Sequence, residues 1–426
     1  MIRENQRRFG FDWATIIVYL LLIAFGYVNI MSASHSGEIT SYFDMSQSYG
    51  KQLVFISLSL VLIILTLSVD AKFYERFASL IYIGAMVSLV GLFIFGKDIN
   101  GARSWYAVGS MTIQPSEFAK FATALAVAKY ISDIQTNLKT LKDQLKAVAI
   151  ILLPAFLILL QNDAGSTLVY ASFFFVFYRE GLQQVYMLIA FSAIILAVLS
   201  LKFGILIAVL AALIVVLGLY FFNRKIKISV LQSIAVLIVC SVFAVGVKLF
   251  YNNILKPHQQ NRISLWLRLE KDPVKLERMK KAEAYNLIQS EEAIAAGRFS
   301  GKGFMEGTRT TGKFVPEQDT DYIFSTVGEE WGFLGASITV ILFVFLIIRI
   351  LIMAERQKSQ FSRVYGYGVA SIFFVHFTIN IGMVMGLIPT VGIPLPFFSY
   401  GGSGLMSFTI LLFIFIKLDS NRINEW

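Results

Sequence analysis

The chain has 426 residues, 57% of them hydrophobic and only 15% charged, with a mean hydropathy of +0.69. Soluble domains carry roughly a quarter charged residues, so a soluble globular enzyme is excluded. The surplus of 37 Lys and Arg over 27 Asp and Glu gives a net charge of +10, which in a membrane chain is expected on the cytoplasmic side and does not point to nucleic acid.

Apolar runs of membrane-spanning length predict an all-α, polytopic membrane helical bundle, because lipid cannot satisfy open backbone groups. Twelve spans are expected, near Ala14–Met31, Leu53–Val69, Phe77–Phe95, Ser116–Ile131, Val148–Leu160, Gly165–Tyr178, Val185–Leu201, Phe203–Phe222, Val230–Tyr251, Trp331–Met353, Tyr365–Leu387 and Leu405–Ile416. The fourth, fifth, sixth and twelfth are short and interrupted, as by Lys120 and Pro154, so they are expected inside the bundle. Ile16 onward runs into a full-length span without a small-residue cleavage site, so no cleavable signal is expected.

Loop charge sets the orientation. With both termini cytoplasmic, the inner segments hold most of the basic residues, among them Arg3, Arg7, Arg8, Lys72, Arg179, Arg224, Lys225, Lys227, Arg356 and Arg363. The short outer segments keep only Lys51, Lys97, Arg103 and Lys202, as the positive-inside rule requires. The polar stretch 252–320 then lies outside as one large extracytoplasmic loop within a single domain, residues 1–426. Its segment Pro273–Ala296 reads as helical, and Gly297–Gly303 as a flexible turn.

Ionisable residues within membrane segments are costly and count as functional candidates. Glu117 and Lys120, three apart, share a helical face and form either a structural ion pair behind Pro115 or part of a site. Asp163 either caps the following helix or lines a polar cavity. In the loop, Asp272-Pro273 is by itself a common helix-start element. Arg262, Lys302 and their basic neighbours either neutralise a phosphorylated substrate or lie on a solvated helix. Asp319, Asp321, Glu329 and Glu330 gather at the entry of the tenth span, where the cluster either binds a divalent cation or orients a substrate, or is accounted for by capping through Asp319 or Thr320. The segment Gly386–Gly404 concentrates Gly and Pro, which at membrane depth requires burial in protein or a cavity lining. His35, His258 and His376 are too scattered for a metal cluster, and Cys240 stands alone, so neither a histidine site nor a disulfide framework is expected.

Taken in order, Asn100–Trp105, Gln114–Lys120, Asn261–Ile263, Asp272-Pro273, Gln289-Ser290, Gly301–Gly303, Pro316–Phe324, Gly328–Glu330 and Ile393–Gly402 resemble the shape, elongation, division and sporulation (SEDS) proteins. The resemblance implies a peptidoglycan glycosyltransferase in the bacterial cytoplasmic membrane. It would polymerise lipid II into β-1,4 glycan on the outer face during cell elongation and shape maintenance. Its implied partners are a class B penicillin-binding protein and other membrane proteins of the elongation machinery. The family's essential loop aspartate falls on Asp272, a general base for the attacking sugar hydroxyl. Arg103, Arg262 and Lys302, with a divalent cation (Mg or Mn) as a further candidate, are expected to stabilise the leaving pyrophosphate. Glu117, Lys120 and Asp163 are expected to wall a lipid-facing groove, with Gln289, Ser290, Asp319, Asp321 and Ser399 also contacting substrate. Beside the family's ten spans, 185–222 reads as an added helix pair. Two rivals are a flippase for lipid-linked precursors and a scaffold that only positions its partner; the concentration of polar residues at the outer side favours the enzyme.

Overall fold

The computed structural model describes residues 10–35, 42–99, 101–109, 111–222, 229–282 and 284–422. The chain begins with helices α1 (Trp13–Ser34), α2 (Ser48–Ser68) and α3 (Ala71–Phe95), followed by a small antiparallel sheet of β1 (Lys97–Ile99), β2 (Ala102–Val108) and β3 (Met111–Ile113). Then come α4 (Pro115–Ile131), α5 (Leu141–Leu160), the short α6 (Ala164–Val169) and α7 (Phe173–Arg179), and α8 (Gln184–Phe203), α9 (Ile205–Phe222) and α10 (Val230–Asn253). The polar stretch folds into α11 (Pro257–Leu267), α12 (Pro273–Lys281), α13 (Tyr285–Gly297) and the single turn α14 (Thr308–Thr311). Three long helices close the chain: α15 (Ile323–Glu355), α16 (Gln360–Val384) and α17 (Gly402–Asn421).

Among the described residues nine helices are long and apolar enough to cross a membrane: α1, α2, α3, α5, α8, α10, α15, α16 and α17. The other three expected spans are also helical but shorter. α4 has 17 residues and is buried almost throughout, which suits a helix carrying Glu117 and Lys120. The sixth expected span is split into α6 and α7 by a tightened turn at Tyr170–Ser172. The eighth is α9, with its apolar stretch at Ile205–Gly218.

The chain forms two compact units, Met1–Leu182 with Gln289–Met385 and Val391–Trp426, and Gln183–Ile288 with Gly386–Thr390. In the first, aromatic side chains fill the core, where edge-on contacts supply attraction beyond buried area. Tyr19 meets Phe397 and Phe413 edge-on at 4.9 and 5.0 Å, and its hydroxyl hydrogen-bonds Thr409 at 3.0 Å. At the helix ends expected in the cytoplasm, Asp12 caps α1 through Thr15 N at 3.0 Å and pairs with Arg349 at 2.6 Å. Arg356 and Arg422 both hold Asp419, at 2.5 and 2.9 Å, and Arg363 holds Glu180 at 3.0 Å. Arg3, Arg7, Arg8, Arg224, Lys225 and Lys227, used above for orientation, lie outside the described residues.

In the second unit α8, α9 and α10 pack through small side chains, Ala208 and Ala244 beside Leu196, and Ser200 Oγ donates to Ala244 O at 2.8 Å. Close approach through small residues is how helices associate where lipid removes the hydrophobic drive. Pro257 and Pro273 occupy the first turns of α11 and α12, where a missing N–H costs nothing. The expected helix Pro273–Ala296 is therefore two helices, α12 ending at Lys281 before Ala282, whose N–H and that of Ala284 both turn back to Met279 O at 3.3 and 3.1 Å.

Candidate active site

The acidic entry to the tenth span is built around a break in α15. Gly332 has φ 60° and ψ −157°, a conformation a side chain does not tolerate, so the α-helical ladder is interrupted there. The turn after α13 docks into the interruption. Lys302 N and Gly303 N donate to the carbonyls of Glu329 and Glu330, both at 3.0 Å, while Phe333 N and Leu334 N donate to Arg298 O and Phe299 O at 2.9 and 3.2 Å. Four backbone groups at the kink are thus paired with the turn, as burial demands. A Cβ on Gly297 would overlap Gly328 O, and one on Gly332 would overlap Gly301 N, which explains why glycines recur in both segments. The expected flexible turn is a fixed plug, and α15 starts eight residues before the expected Trp331.

Glu329 is fully buried and fully engaged. Its Oε1 accepts from Lys302 Nζ (2.7 Å), Arg309 N (3.0 Å) and Thr308 Oγ1 (3.3 Å), and its Oε2 accepts from Thr310 N and Oγ1, both at 2.8 Å. Five donors on one carboxylate hold the anion and fix the α14 turn around it. Lys302 is therefore spent on Glu329. Glu330 is also buried and accepts from Ser32 Oγ of α1. Among the described residues no group of three or more His, Cys, Asp or Glu assembles to hold a metal ion.

The turn bearing Asp319 and Asp321 is fastened by its backbone to the Gly/Pro segment. Tyr400 N donates to Asp319 O at 2.8 Å, Ser399 Oγ to Thr320 O at 2.6 Å, and Asn380 Nδ2 to both Asp321 O (2.8 Å) and Ile393 O (2.7 Å). Ser399 is thus a brace whose oxygen also accepts from Leu395 N at 2.9 Å. Ser290 is buried and donates to Val384 O at 3.0 Å, while Gln289 accepts from Arg309, which also pairs with Glu292 at 2.6 Å.

Two further motifs meet where Gln114 Nε2 donates to Asp163 Oδ2 at 3.0 Å; Asp163 Oδ1 meanwhile caps α6 through Ser166 N at 2.9 Å. Asp163 fills the capping role and a polar contact together. Arg103 on β2 has its guanidinium on Phe93 O at 3.2 Å, with no carboxylate partner among the described residues. Glu117 and Lys120 form a buried pair at 2.7 Å, and the lysine also reaches His376 Nε2 at 3.0 Å. His376, Asn380 and the paired state of Glu329 were missed by sequence reasoning. A lone histidine or asparagine in an apolar run carries no local signal of its partner; only its cost in lipid marks it.

In the second unit Asp272 is exposed at the start of α12, with Oδ1 accepting from Val274 N at 3.0 Å and Oδ2 accepting no hydrogen bond among the described residues. Lys275 at 2.6 Å, and after it the backbone N–H of Asp272, hold Glu270 below the usual carboxylate range. Arg262 Nη1 donates to Thr390 O at 3.1 Å, and Trp266 Nε1 to Leu387 O at 3.0 Å. Asn100, at the start of the first motif, lies outside the described residues.

Long apolar helices, ion pairs buried among them and a polar stretch folded into short helices define a multi-pass α-helical membrane protein. The chain belongs to the SEDS family, since the family model FTSW_RODA_SPOVE, described as cell cycle protein, matches residues 12–211 and 186–424. It is similar to the peptidoglycan glycosyltransferase RodA of Treponema pallidum (strain Nichols), 31% identical over 97% of this chain and 98% of that one. It is likewise similar to the peptidoglycan glycosyltransferase MrdB of Escherichia coli (strain K12), 30% identical over 96% and 94% of the two chains. In fold it matches a chain from a peptidoglycan synthase complex that coordinates polymerization and crosslinking, with a TM-score of 0.67 and 22% identity over 98% of this chain and 99% of that one. The protein is a glycosyltransferase that resembles RodA more than FtsW.

Proposed function

We propose that the protein polymerises lipid II into β-1,4-linked glycan on the outer face of the bacterial cytoplasmic membrane during cell elongation, with both termini in the cytoplasm. The observation that carries the reading is Asp272. It is an exposed carboxylate one of whose oxygens is used to start α12 while the other accepts no hydrogen bond among the described residues, so it has a lone pair available for a substrate proton.

In this reading Asp272 takes the proton from the acceptor's 4-hydroxyl as that oxygen attacks the anomeric carbon of the donor. The bond to undecaprenyl pyrophosphate breaks with inversion, converting an α-linked donor into a β-linked glycan. The departing pyrophosphate gains negative charge, which Arg103 and Arg262 are suited by charge to offset, since neither has a carboxylate partner among the described residues. Lys302 serves the plug at Gly332 instead. A divalent cation, magnesium or manganese, would add positive charge at the departing pyrophosphate. Asp319 and Asp321 present their carboxylates to the substrate from a turn that Ser399 braces, with Gln289 and Ser290 beside it on α13. Asp163 lies at the wall proposed for the lipid side, and the Glu117–Lys120 pair, closed on itself, is buried behind it.

A class B penicillin-binding protein supplies the crosslinking activity beside this polymerase, with other membrane proteins of the elongation machinery around the pair. Closure of Glu117 and Lys120 on each other favours the enzyme over a flippase, whose path would need polar groups open to its cargo. The test is polymerisation of labelled lipid II by the purified protein, alone and with its class B partner. Glycan strands are expected. Their absence in every partnered condition, together with lipid II movement across vesicles, would replace the polymerase with the flippase.

A further inference from the structure

The bundle core holds a chain of polar groups that the chemistry above does not use. Lys120 Nζ donates to Glu117 Oε1 at 2.7 Å and meets His376 Nε2 at 3.0 Å, and His376 Nδ1 meets Pro394 O at 3.0 Å. Lys120 is 2% exposed, Glu117 3% and His376 0%. An ammonium has donors only, so Nε2 must offer its lone pair, and the ring proton must sit on Nδ1, where it donates to the proline carbonyl. Phe408 fixes the geometry, its ring edge-on to the imidazole at 4.8 Å and under the lysine at 5.2 Å.

Pro394 lies in the irregular segment to which the acidic turn is fastened. One helical turn beyond His376, Asn380 ties the neighbouring Ile393 O and Asp321 O together, and Ser399 and Tyr400 hold Thr320 O and Asp319 O. Segment 391–400 has no helix or strand to set its path, and Phe397 adopts φ 64°. Its position relative to the bundle is set by such side-chain bonds together with the burial of Ile393, Leu395, Phe397 and Phe398.

We infer that His376 is a positioning residue for glycan polymerisation: it couples the Glu117–Lys120 pair to the Pro394 carbonyl and so sets segment 391–400, and with it the Asp319–Asp321 turn, at the substrate. The inference rests on the reading that this turn borders the substrate. A glutamine can reproduce both bonds, its oxygen accepting from Lys120 and its NH2 donating to Pro394 O, whereas a phenylalanine fills the space without either.

The experiment compares kcat and KM for lipid II polymerisation, and thermal stability in detergent, for wild type, His376→Gln, His376→Phe and Asp321→Asn. His376→Phe should lower kcat about tenfold or more, the scale on which small misplacements act. Its melting temperature should fall less than that of Lys120→Met, and His376→Gln should recover most of kcat. Wild-type kcat in His376→Phe, or equal loss in both histidine variants, overturns the positioning role. Unchanged kinetics in Asp321→Asn would instead remove the reading that the acidic turn borders the substrate.

Discussion

Lys302 and Glu329 are joined twice: the Lys302 backbone N–H donates to the Glu329 carbonyl at 3.0 Å, and its ammonium meets the same residue's carboxylate at 2.7 Å. One bond heals the kink in α15 and the other neutralises a buried charge, so the plug and the carboxylate stabilise each other. Removing one partner of a buried pair costs about 3–5 kcal/mol because the other charge is stranded. Either variant breaks the pair, but Glu329→Ala also strips the α14 turn of four further bonds, so it should lower the melting temperature in detergent more than Lys302→Met, which leaves those four donors on the carboxylate. Thermal unfolding of the two variants decides this; a larger loss in Lys302→Met would make the lysine, and not the α14 turn, the anchor of Glu329.

Gly332→Ala places a Cβ against the Gly301 nitrogen in a backbone conformation that costs a side chain about 1–3 kcal/mol. The turn 297–303 should lift off, and limited trypsin digestion should then cut after Arg298 or Lys302, sites at which the wild type should resist cleavage. An unchanged digestion pattern would mean that the plug does not depend on the kink.

Asp12 gives a pH dependence with a definite sign. Burial acts to raise its pKa, but the Arg349 guanidinium and the bonds from Thr15 outweigh it and hold the group at about 2, against an ordinary 3.8. A depressed carboxylate stabilises the fold fully above its unfolded value and loses that contribution as pH falls from about 4 toward 2. The shift corresponds to roughly 2 kcal/mol. Asp12→Asn should lower stability by about that amount at pH 7 and flatten the acid limb of a melting-temperature profile between pH 4 and pH 2, on the scale expected for one linked carboxylate. A variant with the wild-type acid limb would assign the limb to other groups.

Lys120→Met strands the buried Glu117 carboxylate and takes the acceptor's partner from His376. A loss of about 3 kcal/mol or more is expected. The double variant Glu117→Gln with Lys120→Met should recover part of it, and a double variant no more stable than Lys120→Met would place the cost in packing and not in charge.

The helical class, the long spans and the pairing of Glu117 with Lys120 were legible because hydropathy and three-residue spacing are local properties. The split of Pro273–Ala296 into two helices was not, since its Lys, Glu, Ala and Leu continue the helical pattern through the break. Gly297–Gly303 read as flexible because its partners sit beyond residue 328; tertiary docking, not local propensity, makes it rigid. Glu329 and Glu330 looked like an open acidic cluster for the same reason: the donors that satisfy Glu329 come from Lys302 and from the turn at Thr308–Thr310, and the serine on Glu330 comes from α1. His376 was set aside as a scattered histidine, and only the approach of α4 and the Pro394 carbonyl gives it a role.

The central claim is that Asp272 is the base, and the most direct measurement is glycan polymerisation from labelled lipid II, with the class B partner present, by Asp272→Asn. Asparagine caps a helix as well as aspartate, so α12 should keep its start and the variant its melting temperature, while the side chain can no longer take a proton. The account predicts a folded, partner-bound protein that makes no polymer. Polymer at the wild-type rate would contradict it and move the base to another loop carboxylate such as Glu277, or to Glu283, which lies outside the described residues.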